Sequence, residues 1–472
     1  MTNASTRTDW RYLLLIFVSV FIILLLFGYT APIPKTFDAA GYWGLAGHFV
    51  RTGRFSLLAY DSSLRGYLFP MLLIAPRVVA YLSHMPNGVM EIFLGAVQAA
   101  LLFGWVLPAL YVAVQPTSVI SLSRKVAFAT LGLFFWIGYF AYTLSDFPAT
   151  LAFSGSLLLL LNSRSRWGIL VGAGVLAGAA LNTRPFYLLS IPVVLLLAAN
   201  LPLEQGQCLG RRLRNAALVL VGLALLLIPQ LRINQVRFGS NSPFVLTQLT
   251  KGNDLFLTQL GWGLIIQKVE TALGSAPGGR NAQVIYKDHA GEALLMQAGY
   301  QLDSGDLFKD IPEYIRFVLH HPVAVGSIYL TRIFNGLDQH YNTPYIRQPM
   351  QQFTWLLPVV NYSLWFGALL LIVIRRRKFK ILAYNQVMVS LAWLLPCSVA
   401  CIVAIENRFL LPIHLLLYAV VCFEWKRDEL LTYWREQSGI AKALLCGSYS
   451  AFVAICLAFS WSIHQQQFFH LV

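Results

Sequence analysis

Five acidic side chains stand apart from the basic turns of this chain: Asp38, Asp61, Glu91, Asp146 and Glu406. Two arginines, Arg184 and Arg408, sit beside apolar runs in the same way. A carboxylate in such a place can take a proton from a hydroxyl, hold a cation or orient a substrate. A guanidinium can grip phosphate oxygens with two parallel hydrogen bonds. Whether any of this happens depends on the elements that carry these residues.

Those elements are apolar. Hydrophobic residues make up 57% of the 472, charged residues 12%, and the mean hydropathy is +0.63. Soluble domains carry roughly 25% charged residues, so the composition points to a polytopic membrane chain. Runs of spanning length occur at 12–30, 88–114, 126–144, 147–161, 167–181, 186–201, 215–231, 353–374, 381–405, 409–423 and 441–463. Backbone amides find no water in hydrocarbon, so each of these eleven runs is expected to be helical. The first is too long for a signal-peptide core and reads as an uncleaved span. The fold class expected is all-α, with about eleven transmembrane helices and one large extracytoplasmic loop. A module at 1–231 is followed by the loop region at 232–352 and C-terminal helices at 353–472.

Cationic turns set the orientation. The 35 Lys+Arg against 20 Asp+Glu read as cytoplasmic loop charge rather than a nucleic-acid surface. With Arg7 and Arg11 inside, Arg124-Lys125, Arg164 with Arg166, Arg211-Arg212-Arg214, Arg375–Lys380 and Lys426-Arg427 all fall on the cytoplasmic side. This holds when segment 66–82, with Arg77 and two prolines, lies on the outer surface rather than crossing. The isolated acids and Arg184 and Arg408 then share the extracytoplasmic face. Ionisable groups at membrane depth are expensive, about 2.5–3.5 kcal/mol at the centre on insertion scales, so their gathering on one face is the main functional signal.

Individual residues admit two readings. Asp38 precedes a helix over 39–52, whose Tyr42, Leu45, Ala46 and Phe49 form one apolar stripe, with Gly53 as the stop. It serves equally as an N-cap or as a catalytic carboxylate. Asp146 starts a span and is open to the same two readings. Arg184 closes a span rich in Gly and Ala, where small residues allow close helix packing; it is either an interface anchor or a phosphate clamp. Glu406 and Arg408 share a turn and can close it as an ion pair. Glu91 and Asp61 are weaker candidates. The loop after residue 231 carries turn signals at Ser275–Asn281 and Asp303–Asp306, and Pro312–Leu330 reads as a surface helix. The nine histidines show no ligand spacing, and the six cysteines read as small core residues rather than a disulfide framework. No nucleotide-binding glycine loop is present, so an activated donor at the outer face would arrive on a membrane lipid phosphate.

In order and sidedness the motifs resemble those of the GT-C integral-membrane glycosyltransferases. The nearest branch is that of the bacterial protein O-mannosyltransferases and lipid A aminoarabinose transferases. The matching features are Asp38 with Tyr42 and the following RTGRF, GYLFP at 66–70, Ser145-Asp146, Thr183-Arg184-Pro185, the LRINQVRFGSNSPF segment, and ENRFLLP at 406–412. Two features depart from the family: Asp38 is followed by Ala39 where the O-mannosyltransferases have an Asp-Glu pair, and Arg65 stands near a family lysine.

The resemblance implies single inverting transfer of a sugar from a polyprenyl-phosphate donor to a lipid A, lipid-linked glycan or protein acceptor. In that scheme Asp38 is the general base and Asp146 orients the acceptor. Arg184, with Arg65 and Arg408, neutralises the leaving phosphate, and Tyr42, Glu406, Glu91 and Asp61 support. A divalent cation at Asp38 and Asp146 is left open as a cofactor. Two rivals stand beside it. One is an O-antigen ligase or polymerase using Arg316 with His320. The other is a lipid or sugar transporter, against which the charges crowd one face rather than the midplane.

Overall fold

The computed structural model describes residues 10–28, 38–53, 55–116, 118–163, 165–201, 209–247, 254–276, 280–302, 307–346, 356–375 and 383–471. Arg7, Arg164, Cys208, the Asp303–Asp306 turn, part of the Ser275–Asn281 turn and the basic run beyond Arg375 lie outside the described residues.

The helices in chain order are α1 (Trp10–Leu26), α2 (Asp38–Thr52), α3 (Leu68–Leu72), α4 (Ile74–Leu82), α5 (Asn87–Ala99), α6 (Leu107–Val114) and α7 (Leu122–Trp136). Next come α8 (Asp146–Asn162), α9 (Trp167–Thr183), α10 (Ile191–Ala199), α11 (Leu209–Phe238), α12 (Leu255–Ile265), α13 (His289–Gln297) and α14 (Ile311–His320). The last are α15 (Pro322–Leu337), α16 (Leu356–Arg375), α17 (Tyr384–Cys401), α18 (Leu411–Ala419), α19 (Arg427–Glu436) and α20 (Gly439–His464). Four strands, β1 (Ile266–Ala276), β2 (Arg280–Lys287), β3 (Tyr345–Ile346) and β4 (Gln467–Leu471), complete the chain.

Every apolar run carries helix. Among the described residues six helices are long and apolar enough to cross a membrane: Asn87–Val114, α11, α16, α17, Asn407–Glu424 and α20. The helices on the other runs, among them α1, α8 and α9 at 17 residues each, are shorter. The chain is thus mostly helical and has the character of a membrane-embedded protein. Segment 66–82 breaks at Leu73 into α3 and α4. At about 1.5 Å per residue α4 spans roughly 13 Å, well short of a ~30 Å hydrocarbon core.

The chain packs as two compact units, each stitched from separate segments: Met1–Ser121, Trp136–Asp254 and Leu382–Pro396 in the first, Leu122–Phe135, Leu255–Ile381 and Cys397–Val472 in the second. In the first unit α9 and α11 cross at glycines. A Cβ on Gly174 would lie 2.0 Å from the Val219 carbonyl oxygen, and one on Gly222 would lie 2.0 Å from that of Val171. Small residues here let two backbones touch. A buried chain of amides then runs from α3 to the segment after α11. The Leu68 N–H donates to Asn182 Oδ1 (3.0 Å), Asn182 Nδ2 to Gln230 Oε1 (2.9 Å) and Gln230 Nε2 to Asn234 Oδ1 (2.9 Å). Asn234 Nδ2 finishes on the carbonyls of Ser242 and Phe244.

The second unit holds a sheet that the sequence reading did not anticipate, in the order β3-β1-β2-β4. β1 and β2 pair antiparallel, with Val269 opposite Ile285; β4 adds antiparallel to β2, and β3 parallel to β1. Alternation in β1 is masked because its inward positions include Lys268 and Ala272, both fully buried, while Val269 and Thr271 are only partly covered. The expected surface helix over 312–330 is two helices. Pro322 offers no amide to continue α14 and disfavours helical backbone before it; His321 accordingly sits at φ −126, ψ 47. α15 carries the fully buried Arg332, which pairs with Asp288 (3.1 Å) and donates to the Gly263 carbonyl. Burial pushes Arg332 down to about 10, with Asp288 pulling the other way.

Gly222→Val should force α9 and α11 apart and cost about 1–3 kcal/mol, lowering the unfolding temperature measured in detergent. Gly168→Ala, on the same α9 but with nothing within 4 Å of the new Cβ, should leave it unchanged.

Candidate functional site

α2 begins at Asp38 and buries Tyr42, Trp43, Ala46 and Phe49 along one stripe. It ends at Gly53, whose φ of +59 is the left-handed conformation that glycine tolerates best. Arg65 reaches this helix from the following loop. Its guanidinium lies 3.0 Å from where a Cβ on Gly41 would be, 5.3 Å from the Tyr42 ring, and donates to Asp38 Oδ1 at 2.8 Å. Two contacts fix the Arg65 backbone. The Tyr60 hydroxyl donates to its carbonyl (2.9 Å), and Gly66 lies against the Asn182 carbonyl so closely that a Cβ would stand 1.8 Å away.

Asp146 opens α8 directly after Ser145, and its carboxylate pairs with Arg184, the residue that ends α9. Thr143, three residues earlier, donates to the Ala39 carbonyl inside the first turn of α2 (2.9 Å). Tyr42 stands between the two ion pairs. Its hydroxyl is hydrogen-bonded with Ser145 and lies in the field of Arg184, Asp38 and Arg65. Burial raises the phenol above its ordinary range; Asp38 adds to this, while Arg184, Ser145 and Arg65 oppose it. Asp38, Tyr42, Arg65, Asp146 and Arg184 therefore form one cluster.

The two pairs differ in access. Asp38 is 44% exposed and Arg65 27%, whereas Asp146 is 6% exposed and Arg184 17%. The first pair meets solvent and the second is largely internal. Both carboxylates open helices, where an anion is favoured, yet each has a guanidinium partner. A cation bound between these carboxylates would face two arginines, so the cluster suits an anionic ligand better than a metal.

Other sequence-derived candidates lie elsewhere. Glu91 is buried in α5, where its charged neighbour is Arg77 rather than any member of the cluster. Arg77 stacks on Trp43 at 5.2 Å and donates to its carbonyl, in space left by Gly47. Asp61 is exposed beside Tyr60. In the second unit Glu406 and Arg408 form a two-point ion pair at 2.7 and 2.9 Å, which closes their turn. Arg316 and His320 are exposed on α14, with the His320 ring engaged by the Arg316 carbonyl.

No protein-family model and no curated protein matches this chain.

One cluster was missed in the sequence. In the second unit Asp338, His340 and His464 are buried together, and one ligand atom from each lies within 4.8 Å of the others. Lys268 pairs with Glu270 (2.9 Å) alongside, and donates to the Asp338 carbonyl (3.0 Å). Burial by itself would raise the Asp338 carboxyl, but His340, Lys268 and His464 hold it well below the usual carboxylate range. The Asp-Gln-His triplet at 338–340 was the only local signal; His464 is far along the chain.

Exposure separates the pairs in a measurable way. Arg184→Ala, which strands a buried carboxylate, should cost about 3–5 kcal/mol, and Asp146→Asn combined with Arg184→Gln should recover part of it. Asp38→Asn should change stability by less than about 1 kcal/mol. Thermal unfolding of the purified variants in one detergent checks all three.

Proposed function

We propose that this chain is a membrane glycosyltransferase of GT-C type. It moves a sugar from a polyprenyl-phosphate donor to a hydroxyl of lipid A, a lipid-linked glycan or a protein. In this reading the eleven apolar helical runs thread an inner or plasma membrane as eleven spans. The N-terminus is cytoplasmic, and the start of α2, Ser145-Asp146 and Arg184 sit at the extracytoplasmic face.

The observation that carries the reading is the accessible Asp38 carboxylate paired with Arg65, with the Asp146–Arg184 pair on the other side of Tyr42. A donor phosphodiester is an anion with two non-bridging acceptor oxygens, and guanidinium is its natural partner. When Arg65 turns to the phosphate it leaves Asp38, whose carboxylate is then able to accept a proton. The acceptor O–H then loses its proton to Asp38 as its oxygen forms the bond to the anomeric carbon. The bond from that carbon to the phosphate oxygen breaks on the opposite face, with inversion, and polyprenyl phosphate departs bearing the electron pair. Arg65 and Arg184 stabilise the charge that develops on it. Asp146, buried against Arg184, fixes that guanidinium rather than reacting. Arg408 is committed to Glu406 and has no part in this scheme.

With purified enzyme and a panel of polyprenyl-phosphate sugars, Asp38→Asn should lower turnover by about 10²–10⁴-fold, the protein staying folded and monodisperse. Arg65→Ala should weaken donor saturation more than it weakens acceptor saturation. An Asp38→Asn protein with near-native turnover would remove the base assignment. Donor-dependent uptake into sealed vesicles without glycosyl transfer would replace the enzyme with a transporter.

A further inference from the structure

The polar core of the second unit is built in a way that the proposed transferase chemistry does not use. Asp338 and His340 follow α15, and His464 ends α20. Their exposures are 0%, 1% and 7%. His464 Nδ1–H donates to the Ser460 carbonyl (2.8 Å), which fixes the tautomer and places the ring lone pair on Nε2. The two imidazole rings lie 4.3 Å apart between centroids. His340 Nε2 stands 2.9 and 3.0 Å from the two Asp338 oxygens and 2.6 Å from Ser460 Oγ. Asp338 is oriented in turn by the hydroxyls of Tyr362 and Ser460, the latter at 2.8 Å.

This is more than a buried ion pair needs. One carboxylate, two imidazoles converging on it, a backbone carbonyl setting one ring's tautomer and two hydroxyls aiming the carboxylate are the parts that hold a metal ligand set in place. The adjacent Lys268 charge is balanced by Glu270, which also accepts from the Tyr286 hydroxyl (2.7 Å). Lys268 thus makes its ion pair with Glu270, and its hydrogen bond to Asp338 goes to the backbone carbonyl. We propose that Asp338, His340 and His464 bind one divalent transition-metal ion. Two nitrogens and one carboxylate oxygen select zinc-like borderline ions over calcium or magnesium. Three protein ligands leave a fourth position open, and the ion would tie the residues after α15 to the end of α20, from which β4 continues into the sheet. A proton on His340 is the competing way to balance Asp338, and the experiment separates the two.

The full-length chain is purified in detergent with an affinity tag that carries no histidines, then analysed for first-row metals by mass spectrometry. About one equivalent per chain is expected, falling about tenfold or more in His464→Gln. A strong chelator should lower the unfolding temperature of the native protein, and added zinc should restore it. That cycle needs no variant to fold. Less than ~0.1 equivalent in folded, monodisperse protein after exposure to micromolar zinc, with chelator-insensitive unfolding, would overturn the site. So would full metal content in folded His464→Gln. Neither result bears on Asp38 or on sugar transfer.

Discussion

A carboxylate that leaves water costs several kcal/mol unless a cation goes with it, and the described parts of this chain are arranged around that constraint. Asp146 has Arg184, Asp288 has Arg332, Glu270 has Lys268, Glu406 has Arg408, and Glu424 has Arg375. In a chain so poor in charge these pairs also act as joints. Three of them tie segments that are distant in sequence, the start of α8 to the end of α9, the N-cap of α13 to α15, and the residues after α18 to the end of α16, whereas Lys268–Glu270 and Glu406–Arg408 are local.

Asp38 with Arg65 obeys the same rule but is the exception in exposure. Asp146–Arg184, Asp288–Arg332 and Lys268–Glu270 are sealed or nearly so, Glu406–Arg408 and Arg375–Glu424 are partly covered, and the Asp38 carboxylate is the most exposed of these groups. Its geometry depends on the interior: the buried amide chain through Asn182, Gln230 and Asn234 holds the loop that delivers Arg65, and Thr143 holds the Ser145-Asp146 turn against the start of α2. The exposed pair thus rests on a hydrogen-bonded interior beneath it.

The helical framework was legible because hydrocarbon leaves backbone amides one solution, and uninterrupted apolar runs announce it. Asp38, Asp146 and Arg184 were legible as rare charges, but their partners were not. Asp146 and Arg184 are 38 residues apart, and no spacing rule connects them. Arg65 drew notice only through a family resemblance. The sheet was hidden because β1 turns Lys268 and Glu270 inward, reversing the usual sense of strand alternation. The single surface helix over 312–330 failed at Pro322, where the backbone rule was available in the sequence. His340 and His464 gave no spacing signal, since the interval between them is set by tertiary packing alone.

α2 is flanked by two stacked guanidiniums, Arg65 over Tyr42 and Arg77 over Trp43, each lodged where a glycine omits its side chain. A rod chocked at two points cannot roll about its own long axis. In the proposed transferase the exposed carboxylate at its tip is therefore a fixed landmark, and an incoming acceptor would have to bring its own shape to it. Under that proposal, tolerance for differently sized guests would reside in the surrounding loops, which makes those loops the place where selectivity would diverge among chains sharing this bracing.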